Sequence, residues 1–532
     1  MTDNTWSELD ERAIKMAKVL SADAVQKAGS GHPGSPISLA PIAYTLYQRF
    51  IKHDPSDPNW AGRDRFILSG GHASLTQYVQ LYFSGYGLTL DDLKYFRGGK
   101  DTRTPGHPEV GLTPGIEMTT GPLGQGLASA VGFAYGQRFE RGLLDPDTEA
   151  GKSPFDHKVW VICGEGDVEE GVSSEASSLA GNQELGNLFV IFDANHIQIE
   201  GETKIAFAED VLKRYEAYGW YTDEISFIQP DGSYKEDIEG LTKVLEKAEQ
   251  VTDRPHFIKV DTLIAWPTPG KTNDPSSHGS ALGDEAVAAL KKVLGFDPAK
   301  TFEIDEEALA HAREVAQRGA QAHAEWDEAL AQWRSANPDK AALYDRIKAG
   351  ELPEDFDQAI DDLEATFEVG SKVATRRASG AALNAVAAVM PELWGGSADL
   401  GGSNNTNIKG AQSFAPAKYA TTQWPNCSIY GRQLHFGVRE FASGCITNGI
   451  LLGSDTRPFS GTFFQFADYE RAAVRLAALM EIPNLFIWTH DSVALGEDGP
   501  THQPIEHLDS FRAIPQFEVV RPADEWETAE AY

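Results

Sequence analysis

The stretch GEGDVEEGVSSEASSLAG, Gly164 to Gly181, followed by NLFVIFDANHIQIEG, Asn187 to Gly201, decides the reading of this chain. VWVIC before it and LFVIF within it are β-branched and aromatic runs, as buried strands require. Between them stand an acidic glycine turn and a helical segment. The pattern predicts strand, turn, helix, strand and then a loop carrying Asn195. Both loops leave the carboxyl ends of strands in one parallel sheet, where ligands of such sheets bind. Glu165 on the first loop and Asn195 on the second offer hard oxygen ligands, which suit Mg²⁺ or Ca²⁺ completed by a diphosphate. An ordinary acidic strand-to-helix turn would read the same way.

Working outward, strands are expected at 158–163, 187–193 and 255–265, with helices between them. The charged N-terminus, MTDNTWSELDERAIKMA, reads as helical and has no basic region followed by an apolar one. Residues 1–325 form one predicted α/β domain. Residues 326–366 continue an Ala/Glu-rich helical style and read as a surface connector. Residues 367–532 form a second α/β domain, with a helix at 375–389, a strand at FIWTHDS and a last strand, loop and helix in FEVVRPADEWETAEAY. The helical pattern is still running at Tyr532, so a truncated second domain is expected. The fold class is therefore α/β, with mostly parallel sheets flanked by helices.

A net charge of −33 argues against nucleic acid or an anionic membrane as partner. No uncharged apolar run reaches the roughly 20 residues of a membrane span. Three cysteines without metal spacing point to a reducing, cytoplasmic compartment. Six of the 14 histidines lie in Gly/Ser/Pro loops: His32, His72, His107, His278, His490 and His502. Imidazoles in such loops can bind phosphate or sugar oxygens and move protons near neutral pH. TTGPLGQGLASAVGFAYG (119–136) places glycines before a small-residue helix, for close approach either of a ligand or of another helix. Glu440 begins an apolar helix and reads as a partner of Arg439 or as a carboxyl with raised pKa. Phe463, Phe466 and Tyr469 are core residues or the walls of a pocket for a flat heterocycle.

Taken together, SGHPGSP, SGGHASL, TPGHPE, GPLGQG, SSHGSAL, ATRR, GGSADL, GVRE, SGTFFQFADY, THDSVALGEDGPTHQP and RPAD resemble the transketolase family, in its order along the whole chain. The resemblance implies thiamine diphosphate as cofactor and a homodimer with active sites at its interface. It implies ketol transfer between sugar phosphates in the pentose phosphate pathway. By the same resemblance Glu165, Asn195 and the main-chain carbonyl of Ile197 hold Mg²⁺ or Ca²⁺. His72, Gly166 and His278 contact the diphosphate, and Gly121 and Leu123 line the cofactor. Phe463, Phe466 and Tyr469 surround the aminopyrimidine. Glu440 bonds the pyrimidine ring nitrogen, and Glu170 pairs with it across the dimer. His32, His107 and His490 handle hydroxyls and protons. Asp498 reads a substrate hydroxyl, and Arg376, Ser403, His490 and His502 surround the sugar or its phosphate. Glu165 stands where the family has Asp, Ala194 replaces the first Asn of its Asn-Asn pair, and Phe441 replaces a common His. A catalytically silent fragment and another thiamine-diphosphate enzyme on sugar phosphates are the alternatives.

Overall fold

A computed structural model describes residues 6–532. The first five residues of the predicted helical N-terminus lie outside the described residues. Five strands make the first sheet: β1 (Arg65–Leu68), β2 (Val159–Gly164), β3 (Leu188–Ala194), β4 (Tyr221–Ser226) and β5 (His256–Asp261). Their order is β1-β2-β3-β5-β4, and every pair is parallel. All seven residues of β3 are buried, because helices cover both faces of a parallel sheet. The strand expected at 255–265 stops at Asp261, and Ala265 takes a left-handed backbone at φ 59°.

Helix Glu8–Ala28 shows why local sequence is enough for many elements. Ser7 and Asp10 cap its start reciprocally, and Gly29, at φ 68°, ends it. Its apolar face joins Trp160, Ile162, Phe189, Ile191 and Ile258 in one core. Register then sets the functional end of the sheet. Gly164 pairs with Asp193, and Ala194 with Asp261, so the acidic turn and the Asn195 loop leave the sheet at the same level.

The second sheet has six parallel strands: β6 (Leu393–Ser397), β7 (Ser413–Phe414), β8 (Cys427–Ser428), β9 (Gln433–His435), β10 (Arg457–Phe463) and β11 (Leu485–Thr489). Their order is β8-β7-β9-β6-β10-β11. Helices Thr375–Val389, Glu440–Gly453 and Ala467–Leu479 belong to this unit. FEVV, expected as a strand, joins no sheet, and the last helix is Glu525–Glu530.

The chain divides into two compact units. The first runs to Leu127 and adds His157–Ser174 and Glu184–Glu328. The second takes Ala128–Asp156, Glu175–Gln183 and Ala329–Tyr532. Two segments that the sequence groups with residues 1–325 thus pack with the second unit. Phe139 explains one of them, stacking on Trp394 of β6 at 4.1 Å between ring centroids. The segment read as a surface connector also packs there. Phe356 and Ile360 lie against Leu383, Val386 and Phe459, a non-local burial that composition does not signal.

Candidate functional site

Above the carboxyl ends of β1, β2 and β3, the first unit opens a cavity of about 610 Å³. Glu165, Gly166 and Glu170 line it from the turn after β2, and Asn195 and Ile197 from the loop after β3. His32, His72 and His278 arrive from three other segments, and His107, Gly121 and Leu123 from a fourth. Every candidate residue that the sequence assigns to this unit therefore faces one space.

The acidic turn and the Asn loop are joined directly. Glu165 Oε1 accepts the His196 N–H at 2.6 Å, so the extra methylene of Glu165 lets its carboxylate span to the opposite loop. Asn195 Nδ2 donates to Asp193 Oδ2 at 2.8 Å, and its Oδ1 accepts the Ile197 N–H at 3.0 Å. Thr262 Oγ1 donates to Asp193 Oδ1 at 2.5 Å. Burial, and then the neighbouring Asp193, push the Glu165 carboxyl up to about 8. Burial likewise raises Asp193. The His196 imidazole offsets part of this rise in both carboxyls. Glu165, the Asn195 amide oxygen and the Ile197 carbonyl make a hard-oxygen donor set that fits Mg²⁺ or Ca²⁺. Ala194 offers no ligand. His196 stands at φ 62°, and its imidazole lies 3.5 Å from both Glu165 and Asp261. Its bond to Asp261, and then Glu165, raise its pKa.

Three histidines sit opposite. The rings of His32, His72 and His278 lie 5.0–5.7 Å apart, centroid to centroid. Burial, then the proximity of His278, Arg97 and His107, lower His32 to about 4. Burial also lowers His72, His107 and His278, so the group is uncharged at neutral pH. The buried Nδ1 atoms of His32 and His278 lack a hydrogen-bond partner. Buried polar atoms normally have partners, so these two imidazoles hold unused hydrogen-bonding capacity beside the cavity that the residues line. Gly121, at φ 147°, brings its backbone to the wall beside His107.

In the second unit, Arg376, Ser403, Phe463, His490, Asp498 and His502 line a cavity of about 800 Å³. Arg376 Nη1 donates to His490 Nε2 at 2.9 Å, and His490 Nδ1 lies 2.8 Å from Thr489 Oγ1. Burial and Arg376 keep His490 below its ordinary value. Phe463 and Phe466 stack at 6.0 Å, with Tyr469 beyond at 6.3 Å; Phe463 is buried, Phe466 half-buried and Tyr469 67 % exposed, so the row runs from core to surface. Glu440 starts its helix almost buried, and burial raises its carboxyl, with Glu175 adding like-charge repulsion. Arg439 turns away, to the Phe436 carbonyl and the Ser178 hydroxyl. Phe441 is half-buried beside Glu440.

Three carboxyls escaped the sequence reading. Asp167, in the acidic turn itself, is buried and also lines the cavity. Asp193 ends a strand of apolar residues, a signal the sequence did carry. Glu175 Oε2 accepts the Ala442 N–H at 3.1 Å, beside Glu440, a pairing of residues 267 apart in the chain that no local pattern reveals.

A parallel sheet with carboxylate and amide side chains at two adjacent strand ends, sharing one cavity with uncharged histidines, defines an α/β protein with a ligand site at its strand ends. Comparison with known proteins sharpens this. The family model for the transketolase thiamine diphosphate binding domain matches residues 9–353, and that for the transketolase pyrimidine binding domain matches residues 371–532. The transketolase of Mycobacterium tuberculosis is 55 % identical over 528 residues, covering 99 % of this chain and 74 % of its own. That of Geobacillus stearothermophilus is 45 % identical over 525 residues, 98 % of this chain and 75 % of the relative. The Pichia stipitis transketolase solved with sedoheptulose-7-phosphate superposes with a TM-score of 0.91 at 40 % identity, covering 99 % of this chain and 75 % of that one. The Leishmania mexicana transketolase gives 0.89 at 38 %, with the same coverage. The chain belongs to the transketolase family, enzymes that use thiamine diphosphate to transfer a two-carbon ketol unit reversibly from a ketose phosphate to an aldose phosphate. Neither alternative, a silent fragment or another thiamine-diphosphate enzyme, gains support from these relatives. Among the described residues no helix is long and apolar enough to cross a membrane.

Proposed function

We propose that residues 1–325 act as the diphosphate-binding domain, 326–366 as a helical connector and 367–532 as the pyrimidine-binding domain of a cytoplasmic homodimer, with active sites at the subunit interface. The reaction proposed is ketol transfer among sugar phosphates of the pentose phosphate pathway. The complex of the Pichia stipitis relative with sedoheptulose-7-phosphate supports the substrate class. Three cysteines, none of them in a disulfide, support a reducing compartment. The observation that carries the reading is the meeting of Glu165, Asn195 and three uncharged histidines on one cavity.

Glu165, the Asn195 side chain and the Ile197 carbonyl would hold Mg²⁺ or Ca²⁺. His72, Gly166 and His278 would meet the diphosphate, with Gly121 and Leu123 against the cofactor. Phe463, Phe466 and Tyr469 would enclose the aminopyrimidine. Bound thiamine diphosphate supplies the electron sink that makes C–C cleavage beside a carbonyl possible. Glu440, its pKa raised by burial, would hold a proton against the pyrimidine ring nitrogen, and Glu170 would pair with it across the dimer. His32 and His107, neutral at pH 7, can take or give a proton at a substrate hydroxyl without charging the site. His490 would do the same near the sugar. Arg376 offers forked donors to phosphate, with Ser403 and His502 beside it, and Asp498 accepts from a substrate hydroxyl.

Calorimetric titration with thiamine diphosphate, with and without Mg²⁺, tests the binding half. Saturable, Mg²⁺-dependent binding is expected, and heat that ignores Mg²⁺ would remove Glu165 and Asn195 from their assigned role. Coupled assays on pentose phosphates test the chemistry. Glu440→Gln is expected to lower turnover by about 10²–10⁴-fold, the scale of a lost general acid or base, with the fold intact by circular dichroism. Retained turnover would sink the role of Glu440.

A further inference from the structure

An amide binds a cation through its oxygen alone, so the way the Asn195 side chain is turned decides whether it can serve as a ligand. Two groups impose one orientation. The Ile197 N–H donates to Oδ1 at 3.0 Å, and Nδ2 donates to Asp193 Oδ2 at 2.8 Å. A flipped amide would set oxygen against carboxylate and NH₂ against N–H. Oδ1 keeps a second lone pair after accepting from Ile197. The Ile197 bond lies within the loop and moves with it, whereas the Asp193 bond refers the amide to the sheet. Asp193 is itself held. It stands on β3 opposite Val260 of β5, and its Oδ1 accepts from Thr262 Oγ1, one residue past the end of β5, at 2.5 Å. The Thr262 N–H donates to the Ala194 carbonyl at 3.3 Å, so Thr262 grips the end of β3 twice. All three side chains are buried. Each proton is used once, since the Thr262 hydroxyl and one Asn195 N–H go to different oxygens of the same carboxylate.

We infer that Asp193 is a positioning residue for Asn195: anchored by Thr262 at the end of β5, it fixes the Asn195 amide with an oxygen lone pair available to the metal ion. The inference rests on the ligand role proposed for Asn195. A hydrogen-bonded partner behind a metal ligand sets the ligand's orientation, and its loss typically costs about 10–100-fold in metal affinity. Asp193 also lines the cavity, so the test must separate action through Asn195 from direct contact of the Asp193 carboxylate with the cation.

The measurement is the Mg²⁺ affinity of the full chain with thiamine diphosphate, by calorimetry at one fixed pH, with folding followed by circular dichroism. Asp193→Ala is expected to weaken Mg²⁺ binding by about 10–100-fold. In an Asn195→Ala background the same change should cost less than about threefold, because a residue that acts through Asn195 then has nothing left to orient. An equal loss in both backgrounds would assign the effect to the charge of Asp193 or to its direct coordination, and would overturn the inference. Thr262→Val keeps every charge and removes only the anchor. It should weaken Mg²⁺ binding by about tenfold, the lower end of the same range, and Thr262→Ser, which restores the hydroxyl, should recover the parent affinity. This pair decides the matter if Asp193→Ala does not fold, and an unchanged affinity in Thr262→Val would overturn the inference. Asn195→Ala alone tests the level below. Undiminished Mg²⁺ affinity there, or a parent chain that binds the cofactor without Mg²⁺ dependence or not at all, would overturn the ligand role of Asn195 and the inference with it.

Discussion

Asp167 shows how one residue organises a site it does not enter by sequence logic. Its Oδ1 accepts from Ser69 Oγ at 2.7 Å and from the Gly124 N–H at 2.9 Å, and its Oδ2 accepts the Gly164 N–H at 3.1 Å. One carboxylate thus ties together the loop after β1, the glycine run and the acidic turn. Burial raises its pKa, and these three bonds oppose the rise. Asp167→Ala leaves two buried backbone N–H groups unpaired and should cost about 2–4 kcal/mol in urea unfolding, with Asp167→Asn costing less. Equal stability of both variants with the parent would refute the tie. GEGD in the sequence marks an acidic turn, and both of its carboxylates line the cavity, but only the structure shows that Glu165 reaches the His196 N–H while Asp167 ties the three loops together.

At the scale of elements, the glycines of 119–136 serve both purposes that their sequence leaves open. Gly121 lines the cavity. Gly132 serves helix packing, since a Cβ there would sit 2.0 Å from the Ile446 carbonyl oxygen. On the facing helix 440–453, a Cβ on Gly449 would sit 1.9 Å from the Ser129 carbonyl oxygen. The backbones touch because neither helix carries a side chain at the crossing. Gly449→Ala must push them apart and should destabilise by at least the 1–3 kcal/mol or so typical of overpacking. Gly402→Ala, with open space around its Cβ position, is the control and should leave the melting temperature within about a degree. A similar loss in both variants would mean that the crossing is not the cause. Because the same helix begins with Glu440, this contact also fixes where that carboxyl stands.

For the whole chain, acid stability reports the buried histidines. His53 is buried, with Nδ1 2.9 Å from Tyr86 Oη and Nε2 3.0 Å from the Tyr47 carbonyl, and burial lowers it to about 4. Its unfolded value is about 6.5. Between those values the unfolded chain binds the extra proton. Stability from this group is therefore full above pH 6.5 and is lost as pH falls toward 4, about 3 kcal/mol in all. Glu470 runs the other way, since a carboxyl raised to about 7 adds stability that fades as pH rises toward that value. The discriminating measurement is thus a difference: urea midpoints from pH 7.5 to 4 should fall less steeply in His53→Gln than in the parent chain. Parallel curves would show that His53 already carries its proton in the folded state.

By itself the sequence determined what depends on near neighbours. The β-branched runs of β2 and β3, the acidic turn, the Asn195 loop and the caps of helix Glu8–Ala28 follow from residues a few positions apart, and the ordered motifs followed from them to a family. The tertiary structure alone decided what depends on burial and on distant pairs. It joined six segments around one cavity, sent residues 128–156 and 175–183 to the second unit, left FEVV outside any sheet, and set Glu175 and Glu470 near Glu440. The physical reason is one of range. Backbone periodicity is written within a few residues, whereas the protonation of a carboxyl or an imidazole depends on how much water and which charges the rest of the chain leaves beside it.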